Sequence, residues 1–599
     1  MIKKCMLWLL CLALLCPLFG CTTSTPEETQ PTQQQISDEE KLYEMLFDIR
    51  NQVVLNLDMD KEELQKMQLD YEKYDQNGSK SPIYRKGDLT VTITTPAGEV
   101  FSYELEEVGV RMKGNTSRTS FYSEEEGIYN VIHLKLSFQE TFDDEDYYGS
   151  DAREWTEDAR KERKNRTFAT LEKLDLRWNR CDDSSYLKEY FAYQTYRQYG
   201  VLAPMTNLCS FDWAGEHMGV YTINEPVDEI FLEKHLPAEA LGGDLYKVGW
   251  AGYANGSFTD THSIGKENED TGEFYAYDLK TNKKTSTHED LKNLIVEMNS
   301  GTMTKERYEQ LVDAQYLVNF AAVSYLLGNP DDMRNNYNNF YVYFRADNGQ
   351  MLLIPYDYDR CLGVTAHWNP TGDGVTSDNP FTDKLAATGE QQINPLMLYS
   401  VVAGGYYVRE YAQKLQQILA EDWFTNEQFG QLYALVQANY AHLATPSKSF
   451  YNTEGLKMSF DLERTSDFAS NDNISFREYL AAKTETVAFY LADLDRYAGG
   501  MPQVSAVWYI RADATNWQND PQYIMDVEEG MLRIRLYVTG QMRLKVYNDK
   551  TGNWYGAECI SQECTVPYDT DDHTNIVLGQ GTYILTFDPE TERITFQKE

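Results

Sequence analysis

The chain has 599 residues and carries 54 Lys+Arg against 94 Asp+Glu, a formal charge of -40. A field that negative repels phosphate backbones and excludes nucleic acid as a partner, while the length implies two to four domains, or one large domain with appendages. Aromatic residues make up 13%, with 44 Tyr and 10 Trp, which supplies enough apolar area to exclude general disorder.

Lys3 and Lys4 precede an apolar run over residues 6–15, which closes on Leu18-Phe19-Gly20-Cys21. A basic start, an apolar stretch and a small residue before a cysteine have the layout of a secretory signal, and the run is shorter than the roughly 20 apolar residues of a bilayer span. The segment resembles a bacterial lipobox. That resemblance implies a signal peptide over residues 1–20, cleavage before Cys21, lipid attachment to its thiol and an extracytoplasmic place at the cell membrane; an ordinary signal peptide ending near a cysteine is the alternative. Residues 21–40 read as a flexible linker, rich in Thr, Pro, Gln and Ser. Cys181, Cys209 and Cys361 are isolated and lack zinc-ligand spacing. Cys559 and Cys564 are close enough to close a small loop in an oxidising compartment, or to remain two thiols.

The alternation at residues 53–57 predicts a strand before a helix over 61–69. Short strands follow over 89–94, 100–105 and 108–113, punctuated by Pro96-Ala97-Gly98 and ended by Gly114-Asn115-Thr116-Ser117. The strand over 131–138 alternates as a half-buried strand does, and the charge-dense stretch 140–166 reads as a solvated loop or exposed helix. Asp182-Asp183-Ser184-Ser185 offers N-cap residues to a helix over 186–199 that ends at Gly200. A hairpin over 208–224, a helix over 308–327 and a second hairpin turning at Asp347-Asn348-Gly349 come next. Residues 396–499 are mostly amphipathic helix, and from 501 the texture changes to the short alternating strands of a β-sandwich.

Phosphoryl transfer needs a cation on the phosphates, a carboxylate near the acceptor hydroxyl and oxygen ligands for a metal. Asn329-Pro330-Asp331-Asp332-Met333-Arg334-Asn335-Asn336 places an acidic pair just after a helix, with Asn339 beyond it, and the second hairpin returns the chain to Tyr356-Asp357-Tyr358-Asp359. A hairpin sets its two ends side by side, so Asp331, Asp332 and Asp357 are expected at one pocket. Taken singly, these residues have plainer readings: the Asp pair as a helix stop and turn, Asp357 as a cap, Lys135 as a solvent-facing strand residue. A metal-dependent hydrolase is disfavoured by the lack of a His cluster.

The segments at 108–118, 134–136, 200–204, 219–225, 244–247, 331–339 and 354–359 resemble, in order, the motifs of CotH kinases, atypical protein kinases of the spore coat protein H type. The resemblance covers residues 41–500. It implies an α+β, two-lobed, protein-kinase-like domain, here followed by a C-terminal β-sandwich module over 501–599, with ATP and Mg2+ as cofactors and an exported or cell-surface protein as substrate. It further implies Asp331 or Asp332 as the catalytic carboxylate, Asn336 or Asn339 as a metal-binding amide, and Asp357, assisted by Asp359, as the metal-binding acid. Lys135 becomes the phosphate-contacting lysine. Gly114, Asn115 and Ser117 form a loop whose N–H groups approach phosphate oxygens, flanked by Arg111, Lys113 and Arg118, and Glu225 faces the nucleotide or anchors the junction between lobes. In the tail, Trp508, Tyr509, Trp517, Tyr547, Trp554 and Tyr555 loosely resemble the aromatics of starch-binding modules, although core packing explains such residues equally well. The competing function is a catalytically inactive surface protein, bound to glycan or cell wall, that uses a kinase-like scaffold.

Overall fold

The computed structural model describes residues 37–249, 256–259, 261–368, 374–383, 394–464 and 473–499, and, towards the C-terminus, 508–518, 523–528, 531–548, 553–556, 563–565, 575–589 and 591–598. The lipobox-like segment, Cys21, most of the linker and Cys559 lie outside the described residues. Among the described residues, no helix is long and apolar enough to cross a membrane.

Period-2 alternation builds the first body. In β1 (Gln52–Asp58) the odd positions Val53, Leu55 and Leu57 are fully buried, and β2 (Arg85–Thr94) buries Leu89, Val91 and Ile93 in the same way. β3 (Val100–Lys113) turns Val108, Val110 and Met112 inward, β4 (His133–Ser137) Leu134 and Leu136, and β5 (Lys173–Trp178) Leu174, Leu176 and Trp178. With β6 (Thr206–Trp213) and β7 (Glu216–Asn224) these strands close a barrel in the order β1-β2-β3-β4-β5-β7-β6, in which β6 runs parallel to β1. Local patterning predicts the strands; it contains no sign of the closure, which depends on pairing between residues such as Val54 and Ser210. The two strands expected over 100–105 and 108–113 are one strand of 14 residues, with Glu107 in the left-handed region (φ 53°) and a register shift opposite it between Gly87 and Leu89.

Two helices pack on the barrel. α1 (Asp38–Phe47) starts with a capping box between Ser37 and Glu40 and buries Leu42, Leu46 and Phe47, and α2 (Lys61–Asp75) buries Leu64 and Met67. The charge-dense stretch 140–166 is partly helical, as expected, but it is not wholly solvated. Arg163 is buried and donates from Nε to the Glu140 carbonyl (2.7 Å) and from Nη2 to the Glu107 carbonyl, so the insertion is latched onto the bend of β3.

The second body is α/β. Its sheet consists of β8 (Leu245–Val248), β9 (Ile264–Gly265), β10 (Tyr277–Leu279), β11 (Phe340–Phe344) and β12 (Met351–Pro355) in the order β9-β10-β8-β11-β12. Its core is shared with α3 (Lys188–Gln198), α4 (Ala314–Leu327), α5 (Val408–Ala420), α6 (Asn426–Tyr440) and α7 (Phe476–Leu491). The helix expected over 308–327 is broken: a first helix, Lys305–Leu311, ends, and the Asp313 carboxylate then accepts from the Tyr316 N–H at 3.0 Å to start α4. Gly328 stops α4 at φ 56°, where an added Cβ would meet the Tyr479 hydroxyl oxygen at 2.1 Å, so a side chain here would have to displace the Tyr479 ring of α7.

Towards the C-terminus two sheets share a hydrophobic core. One is built on Trp508–Ala512, Met542–Asn548, Asn553–Tyr555 and Ile576–Leu578, the other on Asp526–Glu528, Met531–Val538, Gly581–Asp588 and Arg593–Lys598, with Glu563–Thr565 at its edge.

The barrel is tied to the α/β body through Glu267, which lies 3.2 Å from Lys80 Nζ and 3.8 Å from Lys280 Nζ. Burial opposes the charge on Glu267, but the two ammonium groups outweigh it and hold the carboxyl at about 2. A carboxyl depressed in the folded state adds stability that is present above the unfolded value near 4.5 and is lost as pH falls through about 2. The stability difference between the native chain and Glu267→Gln, read from urea midpoints, is therefore expected to shrink as pH is lowered from 4.5 to 2; a difference constant over that range would contradict the tie.

Candidate active site

The outward positions of β3, β4 and β5 form one wall. Register pairs Lys113 with His133, Arg111 with Lys135, and Lys135 with Asp175. Lys113 Nζ is ion-paired to Asp175, which Lys135 approaches at 3.4 Å. Arg177, one step along β5, is buried and holds three carboxylates: Glu189 of α3 at 2.6 Å, Asp359 at 2.7 Å, and Asp357. Beyond Lys113, Gly114 has φ 117°, and a Cβ there would stand 2.0 Å from Ser117 Oγ; a glycine lets residues 114–117 turn tightly over the cleft.

The opposite wall comes from the segments flanking the β11–β12 hairpin. Phe340 pairs with Pro355, the Tyr356 N–H donates to the Asn339 carbonyl (3.1 Å), and Asn329 Nδ2 donates to the Asp357 carbonyl (3.0 Å). These bonds bring Asp331 and Asp357 to the same cleft, of about 250 Å3, which is also lined by Lys113, residues 114–117, His133, Arg177, Arg180, Asn336, Asn338, Asn339, Tyr356 and Asp359. Asp357 itself adopts φ 60° and Asn339 φ 55°; for an aspartate this is an uncommon conformation of the kind found at sites under functional constraint.

The adjacent acids have opposite fates. Asp331 faces the cleft, and its carboxylate accepts from the amides of Asn336 (2.6 Å), Asn338 (3.1 Å) and Asn339 (3.1 Å). Asp332 is fully buried and does not line the cleft. It caps the turn Met333–Asn336 through the N–H groups of Arg334 (3.0 Å) and Asn335 (2.9 Å), and accepts from the hydroxyls of Ser324 (2.5 Å) and Tyr358 (3.2 Å). The plain cap reading thus applies to Asp332.

Electrostatics separates the carboxylates further. Burial pushes the Asp331 carboxyl up against the opposing pull of the Asn336 and Asn338 amides, and burial followed by the charge of Asp357 pushes Asp359 up. Burial acts on Asp357 too, but Arg177, Lys113 and Lys247 outweigh it and hold that carboxyl below its ordinary range. Burial, Arg177 and Lys113 keep His133 neutral, and its Nδ1 accepts from the Trp178 N–H at 3.2 Å. The Tyr356 ring has Lys247 Nζ at 4.1 Å and Lys113 Nζ at 5.3 Å; burial alone would raise its phenol, but these cations draw it down to about 8.

Of the residues singled out in the sequence, Lys113, Gly114, Asn115, Ser117, Asp331, Asn336, Asn339, Asp357 and Asp359 line the cleft, whereas Asp332, Arg111, Arg118, Lys135 and Glu225 do not. Arg111 donates to the Ser81 carbonyl (2.9 Å), and Arg118 donates to the Asn115 carbonyl (3.3 Å), supporting the loop from behind. Lys135 is one register step removed from the cleft, 3.4 Å from Asp175, and Lys113, ion-paired to the same carboxylate, is the lysine that lines the cleft. Glu225 is buried, accepting from Tyr43 Oη (2.8 Å) and the Met205 N–H (3.0 Å), with His235 Nε2 at 3.0 Å. Arg177, Glu189, Arg180, His133 and Asn338 are not singled out by the sequence. One signal was available: Asp175 and Arg177 alternate with Leu174, Leu176 and Trp178, and charges spaced by two on an otherwise apolar strand share the face opposite the core.

Among the described residues no three His, Cys, Asp or Glu side chains are grouped as a metal cage. The cleft's donor set nevertheless suits a hard cation such as Mg2+, which takes one or two carboxylates and completes its shell with phosphate oxygens and water. Asp357 and Asp359 are such carboxylates, the Asn336 and Asn339 amides stand beside them, and Asn338 Oδ1 is buried with no hydrogen-bond partner among the described residues.

A family model described as CotH kinase protein matches residues 135–455, more than half of the chain. The inner spore coat protein H of Bacillus subtilis (strain 168) is 26% identical over 190 residues, which cover 31% of this chain and 49% of that protein, so the chain spans about half the length of the curated relative it matches. The crystal structure of SusF from Bacteroides thetaiotaomicron is 17% identical and covers 17% of this chain and 26% of its own, with a TM-score of 0.14.

Proposed function

The chain belongs to the CotH kinase protein family, and from that premise and the composition of the cleft we propose that it is an ATP- and Mg2+-dependent protein kinase that phosphorylates exported or cell-surface proteins. The observation that carries this reading is one cleft whose first wall offers Lys113 and the loop 114–117, and whose second offers Asp331, Asp357 and Asp359 among asparagine amides. On this reading the barrel and the α/β body are the two lobes of the domain over residues 41–500, and residues 501–599 form an appended β-sandwich module.

Each residue then has a task. Asp357 and Asp359, with the oxygen of Asn336 or Asn339, hold the metal. When bound, Mg2+ and ATP supply the neutralising charge and the phosphoryl group to be transferred. Lys113 and the N–H groups of residues 114–117 face the phosphate oxygens, and a glycine at 114 allows that backbone to approach closely. Asp331 orients the acceptor hydroxyl and takes its proton. Its raised carboxyl makes it a stronger base than a surface aspartate, and the three amides aim it. Arg177 gathers Asp357 and Asp359 from the strand side while Glu189 anchors it from α3, a strand-cation to helix-glutamate pairing of the sort on which kinase domains rely. Location is proposed with the activity: lipid attachment at Cys21 would hold the domain outside the cytoplasm, as the layout of residues 3–21 and the name of the spore coat relative suggest.

Incubation of the purified chain with γ-labelled ATP and Mg2+ is expected to label the chain or an added exported protein. Asp357→Ala is expected to remove the Mg2+-dependent thermal shift that ATP induces, and an unchanged shift would take Asp357 out of the site. If the native chain gave neither label nor shift, the domain would be a scaffold and the kinase reading would fall.

A further inference from the structure

We propose that Arg180 is a further catalytic residue, the cation that grips the terminal phosphate of ATP and stabilises it during transfer; the assignment rests on the kinase reading. Three permanent cations line the cleft, Lys113, Arg177 and Arg180, and their charges are not equally available. Lys113 is ion-paired to Asp175, and Arg177 holds Glu189 at 2.6 Å and Asp359 at 2.7 Å together with Asp357. His133, also in the lining, is kept neutral by burial and by Arg177 and Lys113. Among the described residues Arg180 forms no ion pair. Its guanidinium hydrogen-bonds only to Thr116, donating from Nη1 to the hydroxyl at 3.3 Å and from Nη2 to the carbonyl at 3.4 Å. Both bonds are longer than the usual N–H···O range, whereas a guanidinium–phosphate bond closes to about 2.7–2.9 Å and is roughly twice as strong as a neutral one. Exchanging a loop oxygen for a phosphate oxygen is therefore favourable for Arg180.

The turn that presents this cation is fixed from both sides. Arg180 follows the end of β5, and next to it Asn179 and Asp183 bond reciprocally, the Asn179 amide donating to the Asp183 carbonyl at 2.8 Å and the Asp183 N–H to the Asn179 amide oxygen at 2.9 Å. Asp182, at φ 56°, is held by Arg464 at 2.8 Å and accepts through its carbonyl from Asn473 Nδ2 at 2.9 Å. A half-buried cation on a pinned turn needs no reorganisation when charge develops beside it, which is the condition under which fixed charges stabilise a transition state most. From this turn Arg180 reaches the loop 114–117 through Thr116. On its other side is Asp359: burial and Asp357 push that carboxyl up, and Arg177, Arg360 and Arg180 are the charges that oppose them. Arg360 does not line the cleft. Arg180 thus stands between the N–H groups assigned to the phosphates and a carboxylate assigned to the metal.

The chemistry of the step gives such a cation its use. The acceptor oxygen forms a bond to the terminal phosphorus, the bond from that phosphorus to the bridging oxygen breaks with its electron pair staying on ADP, and the hydroxyl proton passes to Asp331. Negative charge is spread over the terminal phosphoryl oxygens while this happens. A guanidinium offers parallel N–H groups that match two of those oxygens, a geometry that a lysine ammonium does not supply.

The test compares ATP with ADP on the full chain in the presence of Mg2+. Arg180→Met is expected to reduce label transfer by about 10²–10³-fold and to weaken ATP binding, followed by calorimetry, by about tenfold. ADP binding should stay as it is, because ADP lacks the phosphate that Arg180 grips. Arg180→Lys, which keeps the charge without the planar fork, should recover part of the preference for ATP. In the unsubstituted chain, ATP should slow the modification of Arg180 by phenylglyoxal, read by mass spectrometry, and ADP should not, whether or not the variants fold. Equal loss of ATP and ADP binding in Arg180→Met would reduce Arg180 to a brace for the loop. That result, undiminished transfer in the variant, or protection by both nucleotides or by neither would each overturn the assignment and leave the kinase reading in place. A native chain that bound no nucleotide at all would overturn both.

Discussion

Asp331→Asn is expected to reduce phosphate transfer by roughly 10²–10⁴-fold while leaving the Mg2+-dependent binding of ATP nearly intact. The substitution keeps size and hydrogen-bonding capacity but removes the only function an amide cannot perform, accepting a proton from the attacking hydroxyl. Asn336 and Asn338 donate to one carboxylate oxygen, whose place the amide oxygen takes, and Asn339, which donates to the other, keeps its bond to the carbonyl of residue 331 (2.8 Å). Asp332→Asn should behave in the opposite way. Its carboxylate satisfies two backbone N–H groups and the hydroxyls of Ser324 and Tyr358 in a fully buried setting, so a side chain with one acceptor oxygen leaves a buried donor unsatisfied at a cost of about 1–3 kcal/mol. Urea unfolding and label transfer measured on both variants distinguish the roles. Equal loss of transfer in the two, with equal stability, would remove Asp331 from its proposed place as the base.

The largest stability effect is expected from Asp378→Ala. Asp378 lies between Arg334 (2.5 Å) and Lys483 (2.7 Å), and all three side chains are buried. Lys483 is also 3.6 Å from the Tyr325 ring centroid and donates to the Val375 carbonyl at 2.6 Å. Burial draws the Lys483 ammonium down to about 8 even with Asp378 beside it, which shows how little its charge is tolerated there. Removing the carboxylate leaves Arg334 without its buried counter-charge and drives Lys483 to the neutral amine, and breaking a buried pair in this way costs about 3–5 kcal/mol. The urea midpoint should fall accordingly. Arg334 belongs to the turn that carries Asp331 and Asn336, so nucleotide binding should weaken in parallel. Lys483→Met, which spares the Arg334–Asp378 pair, should cost much less. A midpoint for Asp378→Ala close to that of the native chain would mean that water reaches this triad and that it does not brace the cleft.

Much of the cleft was legible because its second wall is local in sequence. A helix stopped before Asn329, an acidic pair, a hairpin turning at Asn348-Gly349 and a returning Asp357 are all consequences of short-range rules, and a two-stranded hairpin can only set its ends side by side. Local rules could not choose between Asp331 and Asp332. Both fit a turn, and only the packing of Ser324 and Tyr358 against one of them makes it the buried cap. Local rules do not choose between Lys135 and Lys113 either: both occupy outward strand positions and both reach Asp175, and what separates them is which one lies along the cleft.

By itself the sequence determined the periodicities, the turn residues and the order of motifs, and with them the strands, most helices and family membership. The closing of seven strands into a barrel and the union of Arg177 with Glu189, Asp357 and Asp359 were decided only by tertiary structure. The physical reason is one of range. Backbone preference and alternation act over a few residues, whereas burial and charge pairing act between segments more than a hundred residues apart, as from Arg177 to Asp357, and exist only once the chain has folded.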